Sequence, residues 1–370
     1  MNIHRLSPTL SLYVARQFAM TFGTVLGVIV GLILLFDLIE LLRRTVTIEN
    51  AHFGALFGMA LLKLPHTIDV TLPFVVLIAA MFALFRLARS HELVVMRASG
   101  VSVWQVLGPP LVLVSGLGLL NLFIFNPVAS ELYDIYQHRE DAMLRNNTAT
   151  LNIGEEGLWL REVRGDTAAI VHAAQVRQQD SVIALQAISI FTTDNRENFQ
   201  RRYEAASGEI ADGTIRLTQV WEMAGQGRAV FHDEISMPSS ITPARVQSSF
   251  ASPESMSIWT LPRFIAFSQQ SGFSAIPHRL YWQSLLVSPF ALACMLLLAS
   301  DFCLSAHTRM GTWTARGLAA VGTGFLFYFF NRFTYALGLS TTLPVALAAW
   351  APTLITLLLG TAYLLHREDG

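Results

Sequence analysis

Long apolar stretches flank a polar interior in this chain. Residues 18–42 read FAMTFGTVLGVIVGLILLFDLIELL, with acids only near the end, at Asp37 and Glu40. A membrane span takes about 20 apolar residues, so this stretch predicts one transmembrane helix. Residues 53–87 form a longer run that carries Pro65 and Pro73. At about 1.5 Å of rise per residue it outreaches a bilayer, so it must tilt, kink or protrude. Residues 101–125 make a third span, expected to stop at Asn126-Pro127. Three more follow the polar interior, at 281–304, 314–337 and 343–365. The first run does not read as a cleaved signal peptide: it is too long for an h-region, and no small-residue cleavage site follows it.

The polar interior alternates with period two. Strands are expected at 158–163, 169–176, 182–191, 200–210, 214–223 and 229–236. Turn residues separate them at 164–166, 193–195, 211–213 and 225–227. Many short strands at regular spacing suggest an antiparallel sandwich or jelly roll. The fold class is therefore an α-helical membrane protein with six transmembrane helices and an inserted all-β, jelly-roll-like domain. Residues 131–144 read as a helix leading out of the third span. Residues 258–269 read as an amphipathic helix returning to the membrane, with Trp259, Phe264 and Phe267 at the interface. The expected domains are 1–127, with a short cytoplasmic helix near 86–100; 128–255, the β domain; and 256–370, the return helix and last three spans.

Composition sharpens this picture. Hydrophobic residues make up 53% of the chain and charged residues 14%, against about 25% charged in soluble domains. That excludes an ordinary soluble enzyme and a disordered chain. A net charge of -1 argues against a nucleic-acid partner. The near-neutral total hides a division. Residues 1–127 and 256–370 hold 14 basic and 8 acidic residues, a balance of +6; residues 128–255 hold 11 and 18, a balance of -7. With the N-terminus inside, Arg5, Arg16, Arg86, Arg89, Arg97, Arg309, Arg316 and Arg367 fall on the cytoplasmic side, as the positive-inside rule requires, and the acidic domain falls outside. Arg43-Arg44 run against the rule.

Familiar catalytic motifs are missing. The single lysine, Lys63, stands between Leu62 and Leu64, so no Walker A loop can form. His91-Glu92 is followed by Val95 where a zincin needs its second histidine. No G-x-S-x-G elbow is present, and no cysteine pair has metal-ligand spacing. Cys294 and Cys303 lie about 13 Å apart along one expected helix, too far for a disulfide.

What remains is polar chemistry at membrane depth. Lys63, His66 and Asp69 stand at i, i+3 and i+6 beside Pro65. They face a cavity or partner, or else form an internal Lys63–Asp69 network. Arg332, in FLFYFFNRFTYALG, either lines a pathway or snorkels to headgroups. Asp37 and Asp301, near span ends, read as solvated. Arg43-Arg44 suits phosphates through bidentate contacts or simply meets lipid headgroups. The segment 86–100, RLARSHELVVMRASG, reads as a short helix capped by Ser90, with Glu92 exposed in its first turn. Leu93, Met96 and Val94 then share a side, and Gly100 ends the helix. Such an element is either a dock for a cytoplasmic partner or an interfacial connector.

The residues SHELVVMRASG, 90–100, resemble the coupling-helix motif of the LptF/LptG lipopolysaccharide-export permeases, whose pattern is close to S-E-L-V-V-M-x-A-S-G. His91 stands as an extra residue after the serine, or else the serine is shifted. The order of three spans, β domain and three spans extends the likeness to nearly the whole chain. The LIELLRR ending of the first span, the NRF stretch and the return segment 252–272 resemble the LptG branch, although Asp37 stands where that branch can carry a base. The resemblance implies a non-catalytic permease subunit of an ABC-type exporter in the inner membrane of a Gram-negative bacterium. Its implied partners are an LptF-like second subunit, an LptB-like ATPase dimer that binds ATP and Mg²⁺, and an LptC/LptA-like β-jellyroll bridge, with lipopolysaccharide as cargo; the chain itself would hold no cofactor. Arg89, Glu92, Leu93, Met96 and Arg97 would couple to the ATPase, and Arg43, Arg44, Lys63, His66, Asp69 and Arg332 would meet the lipid. The alternative is an ATP-coupled subunit that transmits motion to periplasmic partners without carrying lipid.

Overall fold

The computed structural model describes residues 8–45, 52–144, 149–154, 157–164, 167–179, 182–194, 199–211, 213–224, 227–239, 252–270, 273–303 and 313–368. Arg5, Arg309 and parts of the expected turns at 164–166, 193–195, 211–213 and 225–227 lie outside these. The chain divides into two compact units. One joins Met1–Tyr136 to Arg279–Gly370; the other is Gln137–His278.

The first unit is helical: α1 (Pro8–Thr45), α2 (Phe53–Arg89), α3 (Glu92–Ala98), α4 (Val103–Leu120) and the start of α5 (Asn126–Leu144), then α7 (Ile276–Cys303), α8 (Trp313–Leu339) and α9 (Val345–Glu368). Five of its helical stretches are long and apolar enough to cross a membrane: α1, α2, Val103–Glu140, α7 and Val345–His366. The fifth expected span is also a helix, α8. Its 27 residues would reach about 40 Å, but glycines, Thr323, Asn331 and Arg332 dilute its apolar character.

The third span does not stop at Asn126-Pro127. A π-turn at Asn121–Phe125 joins α4 to α5 without a break, and the Asn126 N–H donates to the Asn121 carbonyl five residues back. Proline in a helix clashes with the carbonyl four residues earlier; a wider turn just before Pro127 relieves that conflict. Pro65 and Pro73 likewise sit inside an unbroken α2 of 37 residues, about 55 Å long.

The helical core is built around α2 and α7. Val76, Leu77, Ala80 and Leu84 of α2 cluster with Leu292, Met295, Leu296 and Ala299 of α7. Gly118 lets α4 approach closely: a Cβ there would stand 2.8 Å from the Pro289 Cα. Both cysteines are free and buried in α7.

The second unit is a seven-stranded antiparallel sheet in chain order: β1 (Ala149–Gly154), β2 (Gly157–Arg164), β3 (Thr167–Gln179), β4 (Val182–Asp194), β5 (Phe199–Ala211), β6 (Thr214–Ala224) and β7 (Val230–Pro238). The six expected strands are all present, and β1 adds a seventh. Among the described residues the neighbour-to-neighbour order is a meander, without the Greek-key crossovers of two-sheet jelly rolls.

One feature makes this single sheet gather round one core. Along β4, Ile183 and Leu185 are buried, Gln186 and Ala187 both face out, and then Ile188 and Ile190 are buried. The same double outward step occurs at Ala174-Gln175, Ala206-Ser207, Thr218-Gln219 and Asp233-Glu234. These positions oppose one another: across each step the ladders keep their register but skip the pairs at 174, 187, 206, 219 and 233. Ala187 and Gln219 take positive φ, 52° and 56°. Strict alternation would turn half of each strand's apolar side chains outward. The shared step returns both halves to one cluster, which includes Leu158, Val171, Leu185, Ile188, Ile210 and Leu217.

α6 (Leu261–Gln270) belongs to this unit. Leu261 and Phe264 are buried, and Phe267 packs against the sheet's core. The Phe264 ring meets those of Phe267 and His278. The expected interfacial trio is thus divided: Trp259 is exposed, while Phe264 and Phe267 serve the β unit because its apolar face needs a cover.

Candidate functional site

Functional candidates collect at opposite ends of α2. Lys63 and Ser90 are 27 residues apart on this helix, about 40 Å.

At one end, Ser90 caps α2 and not α3. Its N–H and its Oγ both donate to the Arg86 carbonyl. His91 enters α3 instead, in the left-handed region at φ 60° and with no side-chain cap. The extra residue relative to the coupling-helix pattern therefore makes the sharp turn. Gly100, at φ 85°, closes α3 with paired bonds, Gly100 N–H to Arg97 O and Val101 N–H to Met96 O, the Schellman arrangement.

Leu93 and Met96 are buried with Val14, Leu87 and Val106. They anchor α3 to its own unit. Val94 does not join them: Val94 and Val95 are exposed on the other side, with Arg97 beside them. Glu92 is half-buried, not fully exposed as expected, and accepts a hydrogen bond from the Tyr13 hydroxyl at 2.9 Å. α1 thereby touches the first residue of α3. Arg89 is exposed at the end of α2.

At the other end, Lys63 and Asp69 do not pair with each other. The Lys63 ammonium donates to Asp37 Oδ1 at 2.7 Å and lies 6.0 Å from the centre of the Tyr136 ring. Asp37, expected to be solvated, is buried. Two apolar helices face each other there, and a charge at that depth requires a partner. Asp69 accepts from the Asn121 amide at 2.6 Å, at the π-turn. His66 stacks on Tyr133 at 4.2 Å, and Tyr133 on Tyr136 at 5.8 Å.

Arg332 lies on α8. Its Nε donates to the Tyr328 hydroxyl, and its guanidinium lies over the same ring at 5.4 Å. Tyr328 in turn packs on Phe74 of α2. Through Tyr328 and Phe74, Arg332 is linked to α2, the helix that carries Lys63 and His66. Arg43 and Arg44 are exposed in the last turn of α1, with Arg44 paired to Glu40. Among the described residues, no three His, Cys, Asp or Glu side chains cluster as a metal site.

Comparison with known proteins decides the family. The description "Lipopolysaccharide export system permease LptF/LptG" fits residues 12–367. The chain belongs to the LptF/LptG permease family. It is 25% identical over 370 residues to the lipopolysaccharide export system permease protein LptG of Escherichia coli K12, covering 96% of this chain and 98% of that one. It is 23% identical over 378 residues to LptG of Haemophilus influenzae, covering 98% and 99%. With five apolar helices in a permease family, it is a multi-pass membrane protein.

Within this LptF/LptG member, several polar residues escaped the sequence reading: Asp37 as a buried partner, and Tyr13, Asn121, Tyr133 and Tyr136. One signal was available. α1 and α2 form a hairpin, and Asp37 and Lys63 are equidistant from a midpoint at residue 50, as are Leu41 and Met59, which cluster together. Folding the two spans against each other predicts the pair.

Proposed function

We propose that this chain is the LptG-like permease subunit of a lipopolysaccharide exporter in a Gram-negative inner membrane. A family match that runs through both units, from residue 12 to 367, carries this reading. α8 is the sixth span, the termini are cytoplasmic and the β unit is periplasmic, in keeping with the positive-inside balance. ATP and Mg²⁺ belong to a separate ATPase, because the single lysine of this chain is outside any Walker A loop. That ATPase docks on α3, against Val94, Val95, Arg89, Glu92 and Arg97, while Leu93 and Met96 fix the helix from below. The Tyr13–Glu92 bond then passes movement of the dock to α1. A second, LptF-like subunit and lipid cover the exposed apolar rows of α1 and α8, and a β-jellyroll bridge receives the cargo.

Arg43 and Arg44 meet the phosphorylated headgroup, with Arg332 and His66 at the same end of the helices. Lys63 and Asp69 support that region through Asp37 and Asn121 and do not themselves bind the lipid. The test is the reconstituted complex. Glu92→Ala is expected to reduce ATPase co-purification about tenfold, and Arg43→Ala with Arg44→Ala to lower lipid-stimulated ATP turnover while leaving assembly intact. Full ATPase binding by Glu92→Ala would remove α3 as the dock. Unchanged turnover in the arginine variant would reduce that pair to headgroup anchors.

A further inference from the structure

The membrane unit holds two separate apolar clusters along α2. Toward α3, Leu72, Val76, Leu77 and Leu84 pack with α4 and α7. Toward Arg43, Leu56, Met59 and Ala60 pack with Leu41 of α1 and Tyr136 of α5. Every residue of α2 between Ala60 and Leu72 is at least partly exposed. α1 and the continuous α4–α5 helix also run from one cluster to the other, with Phe18 and Val114 in the first. Among the described residues, the second cluster contains none from α7, α8 or α9.

Backbone weak points gather between the clusters. Pro73 has no N–H to offer the Asp69 carbonyl, and Pro65 none for the Leu61 carbonyl. Between these prolines the Thr67 hydroxyl donates to the Lys63 carbonyl and the Thr71 hydroxyl to the Thr67 carbonyl, a pattern that bends helices. The α4–α5 helix has its π-turn, Asn121–Phe125, at this level, and such turns mark places where a helix is locally irregular. α1 passes the same level near Gly31: the midpoint at residue 50 that sets Asp37 opposite Lys63 also sets residue 31 opposite Asp69. Glycine is among the weakest helix formers. One bond joins two of these points, from the buried Asn121 amide to the Asp69 carboxylate at 2.6 Å.

We propose that the membrane unit is hinged at this level, with the Asp69–Asn121 bond on the axis and the block around Leu41, Leu56, Met59 and Tyr136 swinging as one body. Thin packing and missing backbone bonds make bending there cheap. Breaking a polar pair away from water is costly, and a pair on the axis stays intact while the parts on either side rotate. The swinging block carries Arg43 and Arg44 at the end of α1, and α5 continues from it into the second unit at Gln137. Its cluster is distinct from that of Leu280, Ala348 and Ala349 on α7 and α9, so it moves without disrupting that one. The hinge rests on packing and backbone bonds alone; its drive by an ATPase at α3 rests on the export reading.

Spin-label distances test it in the full complex in nanodiscs, nucleotide-free and vanadate-trapped. Cys294 and Cys303 are buried, so labels go to cysteines introduced at the exposed Phe57, Ile135 and Leu347. Phe57 is 12 residues from Asp69, about 18 Å along α2, so a swing of about 20° displaces it by about 6 Å. The Phe57–Leu347 and Ile135–Leu347 distances are expected to change together, by up to about that amount, while Phe57–Ile135 stays constant. Pro73→Ala gives the Asp69 carbonyl its donor back, is compatible with a helix, and should shrink the change to less than about half. Asp69→Leu should broaden both changing distances; Asp69→Asn, which keeps an acceptor for Asn121, should not. A Phe57–Ile135 distance that changes as much as the others, or the full change in Pro73→Ala, would overturn the hinge. So would constant distances throughout in a complex that still turns over ATP. Failure of the export reading would show separately, as turnover insensitive to lipopolysaccharide with these distance changes intact.

Discussion

Apolar residues have different meanings in the two units of this chain. In the sheet, Leu158, Ile183, Ile188, Ile210 and Leu217 are almost fully buried, and removing them from water is the driving force. In the helical unit, α1 and α8 leave Val28, Leu35, Phe36, Phe325, Leu326 and Phe329 outward. Lipid is as apolar as those side chains, so burial inside the unit gains little by transfer. Close approach and polar pairs must provide the specificity instead. Gly118 against Pro289, Ala79 and Ala80 within the α2–α7 core, and Lys63 on Asp37 are features of that second kind.

The contrast can be broken by measurement, with hydrogen exchange in nanodiscs reading each unit separately. Leu217→Ala is expected to have the largest effect, lowering protection of the β unit by about 4 kcal/mol through lost transfer and a residual cavity. Lys63→Met, which leaves Asp37 buried without its cation, should loosen the α1–α2 hairpin by about 3 kcal/mol. Adding Asp37→Leu should restore most of that loss, because two apolar groups replace the pair. Leu77→Ala, equally buried but among helices in lipid, is expected to cost only about 1–2 kcal/mol, since only packing is lost. A loss equal to that of Leu217→Ala would erase the distinction. Arg216→Gln is expected to have the smallest effect: its exposed ion pair with Glu234 is worth less than about 0.5 kcal/mol.

The two units also differed in how far the sequence revealed them. Strand positions were legible because alternation is a local signal. β1 was missed because its six residues carry only Leu151 and Ile153 as strong apolar positions. The double outward steps at 174, 187, 206, 219 and 233 were not legible, since a strict period of two assumes a strand without a bend. In the helices, run length placed the ends of α2, α7, α8 and α9 within about five residues, but α1 begins ten residues before its apolar run, and Pro127 misled because a π-turn absorbs it. The helix 90–100 was visible, but its facing was not. Leu93 and Met96 fit an anchored face, while the place of Glu92 depends on Tyr13, 79 residues away. Reading spans one at a time also left Lys63 with the wrong partner, Asp69 on its own helix, when the hairpin supplies Asp37.

On the proposed function, lipopolysaccharide passes this subunit at the end of the helices that carries Arg332. A photocrosslinking residue in place of Phe333, exposed beside Arg332 on α8, tests it in cells that contain the partner ATPase. A light-dependent lipopolysaccharide adduct on this chain is expected, and it should fall when the ATPase is inactivated or depleted. Absence of any lipopolysaccharide adduct there, with assembly and ATP turnover intact, would contradict it and favour a subunit that transmits motion without carrying lipid.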